Sequence, residues 1–136
     1  MINEASVAES CLDKLKVYAD SKSYLIAIDG KDFDPPVDDI YLQETLLIND
    51  NSQGLSNSSS EIQRPIYQVN VNCPKGRGKW QALHIVNDLR EHFERAMDIS
   101  VIPEQQVNIE QVQSQRIPAS DTHNIYAVSI NLSVIG

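Results

Sequence analysis

Cysteine is scarce in this chain: two in 136 residues, Cys11 and Cys73. Both fall at apolar positions of different predicted elements. They therefore read as buried thiols in a reducing compartment, not as a disulfide framework. Neither has a histidine at a spacing that suggests a nucleophile and its base. Cations are also in short supply. Eleven Lys and Arg stand against nineteen Asp and Glu, for a formal net charge of −8. Such an acidic balance excludes broad, non-specific coating of DNA, which takes many cationic contacts, although it leaves room for a local basic patch. No apolar run approaches the roughly 18 residues of a membrane span. The start, MINEASVAESCLDK, has no basic segment followed by an apolar one and does not read as a secretory signal. There is no internal repeat, and the glycine loop of phosphate-binding ATPases is missing.

What is present is enough for one core. Hydrophobic residues make up 41% of the chain, and a chain of this length buries about two-thirds of its unfolded surface without disulfides or metals. Residues 1–136 are expected to form a single domain. Its first helix is predicted from about Asn3 to Asp20, where Ala5, Ala8, Leu12, Leu15 and Ala19 recur at helical spacing. Tyr24 to Ile28 reads as a short extended segment before the Asp29-Gly30 turn, and Pro35-Pro36 holds the backbone extended. Ile40 to Asn49 reads as a strand. Asp50 to Ser60, DNSQGLSNSSS, reads as a mobile polar loop, and the strand from about Ile62 to Cys73 completes a long hairpin. In that second strand Tyr67, Val69, Val71 and Cys73 alternate with Gln68, Asn70 and Asn72, and Pro74 ends it.

A short basic, glycine-containing turn follows, Lys75 to Lys79, and then a second helix from about Lys79 to Met97, with Ala82, Val86, Leu89 and Phe93 on one stripe. Ile99 to Ile102 reads as a further short strand. Gln106 to Gln115 is another, with Val107 and Ile109 on one face. The last strand, Asn124 to Ile135, alternates Tyr126, Val128, Ile130, Leu132 and Val134 with Ala127, Ser129, Asn131 and Ser133. The expected class is α+β: a mostly antiparallel sheet with two helices packed on one face. Its other face and its edges then need a partner, and oligomerisation supplies one.

Several residue groups carry charge or chemistry. Lys75, Arg77 and Lys79 crowd a helix N-terminus, where the macrodipole prefers anions. The exposed glycine amides nearby would suit a phosphate, but a solvated turn, or pairing with an acidic neighbouring subunit, fits better. Asp29, Asp32, Asp34, Asp38 and Asp39 form an acidic run with no partner spaced for acid–base work and no calcium-loop pattern. His84, Asp88 and His92 recur every four residues, a spacing that suits a metal. A solvated face opposite the apolar stripe, with Asp88 and His92 as a weak helical pair, is the favoured reading. Trp80 either packs over the end of its helix or anchors an interface. No constellation points to an enzyme, and no cofactor or metal is expected.

The order of these parts resembles the tail-terminator (tail-completion) proteins of long-tailed bacteriophages, the minor-tail-protein-U-like class. The resemblance rests on the amphipathic first helix, Pro35, Pro36 and Tyr41 leading into the first long strand, and the polar hairpin loop. It continues with the strand Tyr67 to Pro74, the turn holding Gly76 and Gly78, the helix end Leu89 to Phe93, and the closing strand Tyr126 to Leu132. What it implies is a structural virion protein that forms a ring, a hexamer, on the head-proximal end of the tail. The ring would end tail-tube polymerisation and present a surface to the head-completion or connector protein. DNA would pass through it without sequence-specific binding. Its partners would be its own copies, the tail-tube protein and the connector, with no membrane, in the virion and in the host cytoplasm during assembly. Lys75, Arg77, Lys79 and Trp80 on one side, and Asp32 and Asp34 on the other, are the candidate interface residues. The alternative is a small non-viral or phage-neck adaptor module without enzymatic activity.

Overall fold

The structure, a computed structural model, describes residues 2–48, 62–76, 79–96, 98–120 and 122–135. The expected mobile loop, Asp50 to Ser60, lies outside the described residues.

Helix α1 spans Glu4–Lys22. Asn3 caps it, its side chain accepting from the amide of Ser6 at 3.1 Å, which satisfies one of the orphan donors of the first turn. Gln105 clasps the same residue from both sides, accepting from the Asn3 amide at 3.0 Å and donating to its carbonyl at 3.3 Å. The helix ends at Ser23, which takes the left-handed conformation at φ 60° while the Tyr24 amide returns to Ala19. The strand β1 (Leu25–Ala27) pairs in parallel with β2 (Tyr41–Leu47). Parallel neighbours need a crossover, and segment 28–40 supplies it by doubling back along that margin. Antiparallel pairing then joins β2 to β4 (Ile66–Pro74), β4 to β6 (His123–Ile135), and β6 to the edge strand β5 (Gln106–Ile117). The two-residue β3 (Ile62–Gln63) continues the line of β4 along β6 in unbroken register. Arg64 and Pro65 interrupt it because proline has no amide to donate.

The α+β class and the mostly antiparallel sheet agree with the sequence reading. Helix α2 is Trp80–Glu94, a little shorter than expected. Both helices cover the same face of the sheet. Val7, Cys11 and Leu15 of α1, and Ala82, Ile85, Leu89 and Phe93 of α2, are buried against Leu42, Tyr67, Val69, Val71, Val128, Ile130 and Leu132. Burial of each large side chain of this kind stabilises by about 1.5–3 kcal/mol. Both cysteines are free and buried.

Two local readings are corrected, and one expected strand forms with an irregularity. The expected strand at Ile99 to Ile102 does not form. An isolated bridge between Asp98 and Asn108, and a bond from the Ile99 amide to Val107, hold that stretch to β5 instead. In β5 the alternation that begins at Val107 and Ile109 resumes at Val112, because a bulge inserts Glu110 between Ile109 and Gln111. Asp88 and His92 do not lie on a solvated face. They point at α1, where Asp88 accepts from the Tyr18 hydroxyl at 3.2 Å and His92 bonds the Lys14 carbonyl at 2.8 Å.

Candidate functional site at the charged end of the sheet

The end of the sheet where β4 finishes and β6 begins collects most of the residues singled out by sequence. Lys75 follows β4 directly, its amide bonded to the Thr122 carbonyl at 3.0 Å, and Gly76 turns the chain at φ +96°, a conformation in which a side chain is strained. Arg77 and Gly78 lie outside the described residues. Lys79 then leads into α2 with no side-chain cap bond and no acidic residue in the first turn. A helix start normally attracts anions, so cations here cost local stability. Trp80 does not cover the helix end. It is 70% exposed, with the Lys79 ammonium 5.6 Å from its ring centroid. The first turns of α2 pack over β5 and β6, where Leu83 and Val86 share a hollow with Ser114, Gln115, Arg116 and Tyr126.

The acidic segment lies at the same end, on the β1–β2 side. Phe33 stacks on Tyr41, the first residue of β2, with ring centroids 5.1 Å apart, and Tyr41 meets His123 edge-on at 5.3 Å. Asp32 and Asp34 flank Phe33 and are exposed. Asp39 caps the amide of Ile40 at 2.8 Å. Among the described residues, neither Asp32 nor Asp34 forms an ion pair with Lys75 or Lys79; Arg90 pairs with Glu94 within α2, and Arg95, just past its end, pairs with Glu91.

Sequence reasoning passed over Glu44. It points inward between Leu42 and Leu46 and is buried, accepting from the Tyr67 hydroxyl at 3.0 Å and from the Asp29 amide at 2.8 Å. These bonds tie the start of the acidic crossover to the core. Burial, with the Glu44 carboxylate second, pushes the Cys11 thiol up to about 12 and raises the Tyr67 phenol well above its ordinary value. A thiol held in that form is a poor nucleophile. Its signal in the sequence was the even register of Leu42, Glu44 and Leu46.

Between the helices, Lys14, Tyr18, Asp88, Glu91, His92 and Arg95 line a hollow of about 390 Å³. Burial, then the Asp88 charge, raises the Tyr18 phenol. His84, the third member of the four-residue series, is exposed. Among the described residues, no group of three His, Cys, Asp or Glu side chains is placed to hold a metal. No helix there is long and apolar enough to cross a membrane.

No curated protein matches the chain. One solved structure, which bears no functional description, superposes with a TM-score of 0.76 at 17% identity, covering 98% of this chain and 96% of its own. At that identity it supports the fold alone. The family model described as "Phage tail terminator protein" matches residues 6–133, nearly the whole sequence. The chain therefore belongs to the phage tail terminator protein family and is a structural component of a phage tail.

Proposed function

We propose that this protein forms a closed ring, a hexamer, on the head-proximal end of the tail. There it stops tail-tube growth and offers the surface that the head-completion or connector protein joins. The observation that carries this reading is the split of charge across one end of the sheet. Acidic Asp32 and Asp34 sit at the β1–β2 margin. Lys75 follows the central strand β4, and Lys79 and the exposed Trp80 open α2, which packs over β5 and β6. Opposite charges on separate exposed segments suit a head-to-tail contact, in which each copy offers its basic turn to the acidic segment of the next. Such a contact closes into a ring when its rotation divides the circle. Charge complementarity sets orientation and association rate, and the exposed indole supplies an anchor of the kind that dominates interfaces.

The test is made on virions assembled with and without the chain. Tails lacking it should carry tubes of uncontrolled length and no heads. Adding purified protein should cap tubes with a ring of about six copies, counted by native mass spectrometry. Tubes of normal length, joined to heads in its absence, would overturn the proposal.

A further inference from the structure

Two features of one copy are unmatched within it: the chain's single tryptophan and a hollow at the acidic crossover. Trp80 is the first residue of α2 and is largely exposed, with the Lys79 ammonium 5.6 Å from its ring centroid. An indole left in water forgoes the burial that makes tryptophan a frequent interface anchor. The hollow lies where the crossover folds against β2 and holds about 250 Å³. Ala27, Phe33, Pro35, Tyr41, Gln43 and Thr45 line it, together with Asp29 and Lys31. Phe33 and Tyr41 form an aromatic wall, their ring centroids 5.1 Å apart and their planes tilted by 38°. Among the described residues, none of α2 lines the hollow, so a copy's own Trp80 leaves it unfilled.

We propose that this hollow is a socket, and that it receives Trp80 of the next copy in the ring. The inference rests on the ring reading above and assigns its contact to particular side chains. Size is the first support. Pockets that take drug-sized ligands run from roughly 300 to 1,000 Å³, and this smaller one is on the scale of a single large side chain. The lining is the second. An indole adds a third ring to the Phe33–Tyr41 pair, and tilted or offset aromatic neighbours attract beyond simple burial. Its N–H, a donor only, meets acceptors in the Gln43 carboxamide, the Thr45 hydroxyl and the Asp29 carboxylate. Charge is the third. Asp29, Asp32, Asp34, Asp38 and Asp39 stand against Lys31 alone in segment 29–39, and Lys79 arrives beside the indole. Complementary signs of this kind orient the encounter. Knob and socket lie on different elements, so the contact is heterologous. Each copy gives Trp80 to one neighbour and receives Trp80 from the other, and such a chain of contacts closes when its rotation divides the circle.

As the single tryptophan, Trp80 is its own probe. The parent chain is assembled with a large excess of a second chain carrying Trp80→Phe and Lys31→Cys, the new thiol bearing a nitroxide that quenches indole emission on contact. Both native cysteines are buried, so the label goes to the socket. The labelled chain has no tryptophan, and any quenching is therefore between copies. Mixed rings, their mass checked first, should lose most of the Trp80 emission and regain it when the nitroxide is reduced. Where rings form only on tube ends, a mixture in which both chains carry Trp80→Phe sets the background from the tube. Separately, Trp80→Ala should weaken ring association at least roughly tenfold, as truncating a buried interface tryptophan does, with the monomer's circular dichroism unchanged. Undiminished emission in mixed rings of full mass, or equal assembly by Trp80→Ala, overturns the socket while leaving the ring intact. A mass below that of a ring, for the unsubstituted protein both free and on tube ends, overturns the ring and this inference with it.

Discussion

Glu44 shows how one buried carboxylate links the core to the charged end. Its two acceptor bonds go to groups that would otherwise be unpaired: the Tyr67 hydroxyl, inside the core, and the Asp29 amide, at the start of the acidic crossover. An unsatisfied buried polar group costs about 1–3 kcal/mol. Glu44→Ala is therefore expected to destabilise the chain by about 2–3 kcal/mol in urea unfolding, and Tyr67→Phe by less, because Glu44 then keeps its bond from the Asp29 amide. Equal effects of the two would show that packing, not the hydrogen bonds, carries the cost. The residue was hard to single out from sequence because a lone Glu in a strand usually points to water. Only its register with Leu42 and Leu46 places it inward. The alternations of Tyr67 to Cys73 and Tyr126 to Val134 were legible for the opposite reason: every second residue is apolar, and no polar residue competes for the core face.

At the scale of elements, both helices and the long strands followed from periodicity, while the departures arose where regular pairing is interrupted. Pro65 splits a strand whose register nevertheless continues. The short β1 finds its parallel partner through a crossover that has no helix of its own. Glu110 bulges from β5. The bulge has a readable signature, since the apolar series Val107, Ile109 resumes at Val112 instead of at residue 111. Removing Glu110 would leave Val107, Ile109 and Val112 all facing the helices in plain alternation. The expected cost to folding is therefore small. What changes is the edge: the bulged twelve-residue edge strand would become a straighter one of eleven residues, without the kink that discourages further pairing. Deletion of Glu110 is expected to leave the circular-dichroism melting temperature within a few degrees of the parent. It should also raise the mean particle size in light scattering. A deleted chain that fails to fold, or that stays as monodisperse as the parent, would count against this role of the bulge.

At the scale of the whole molecule, the charge distribution argues most directly about assembly. Net charge is −8, so copies repel one another on average, and approach must be guided by the few surfaces where signs oppose. Sequence alone marked both groups, but not that the fold brings them to one end of the sheet. That depends on the parallel placement of β1 and on the pairing of β4 with β6, neither of which has a local signal. If the basic turn of one copy meets the acidic crossover of the next, reversing Lys75 and Arg77 to Glu should slow ring formation at least tenfold, and the monomer should keep its melting temperature. Raising salt should weaken the parent ring and narrow its advantage over the variant, since exposed charges are screened beyond about 8 Å at physiological ionic strength. Reversal of Asp32 and Asp34 to Lys in the same chain should restore assembly, because the pairing is then recreated with its signs exchanged. The measurement is light scattering of the purified chain, repeated with isolated tail tubes. Assembly that the first reversal leaves unchanged would remove the basic turn from the interface. Loss that the second reversal does not repair would mean that the turn meets something other than the acidic margin of a neighbour.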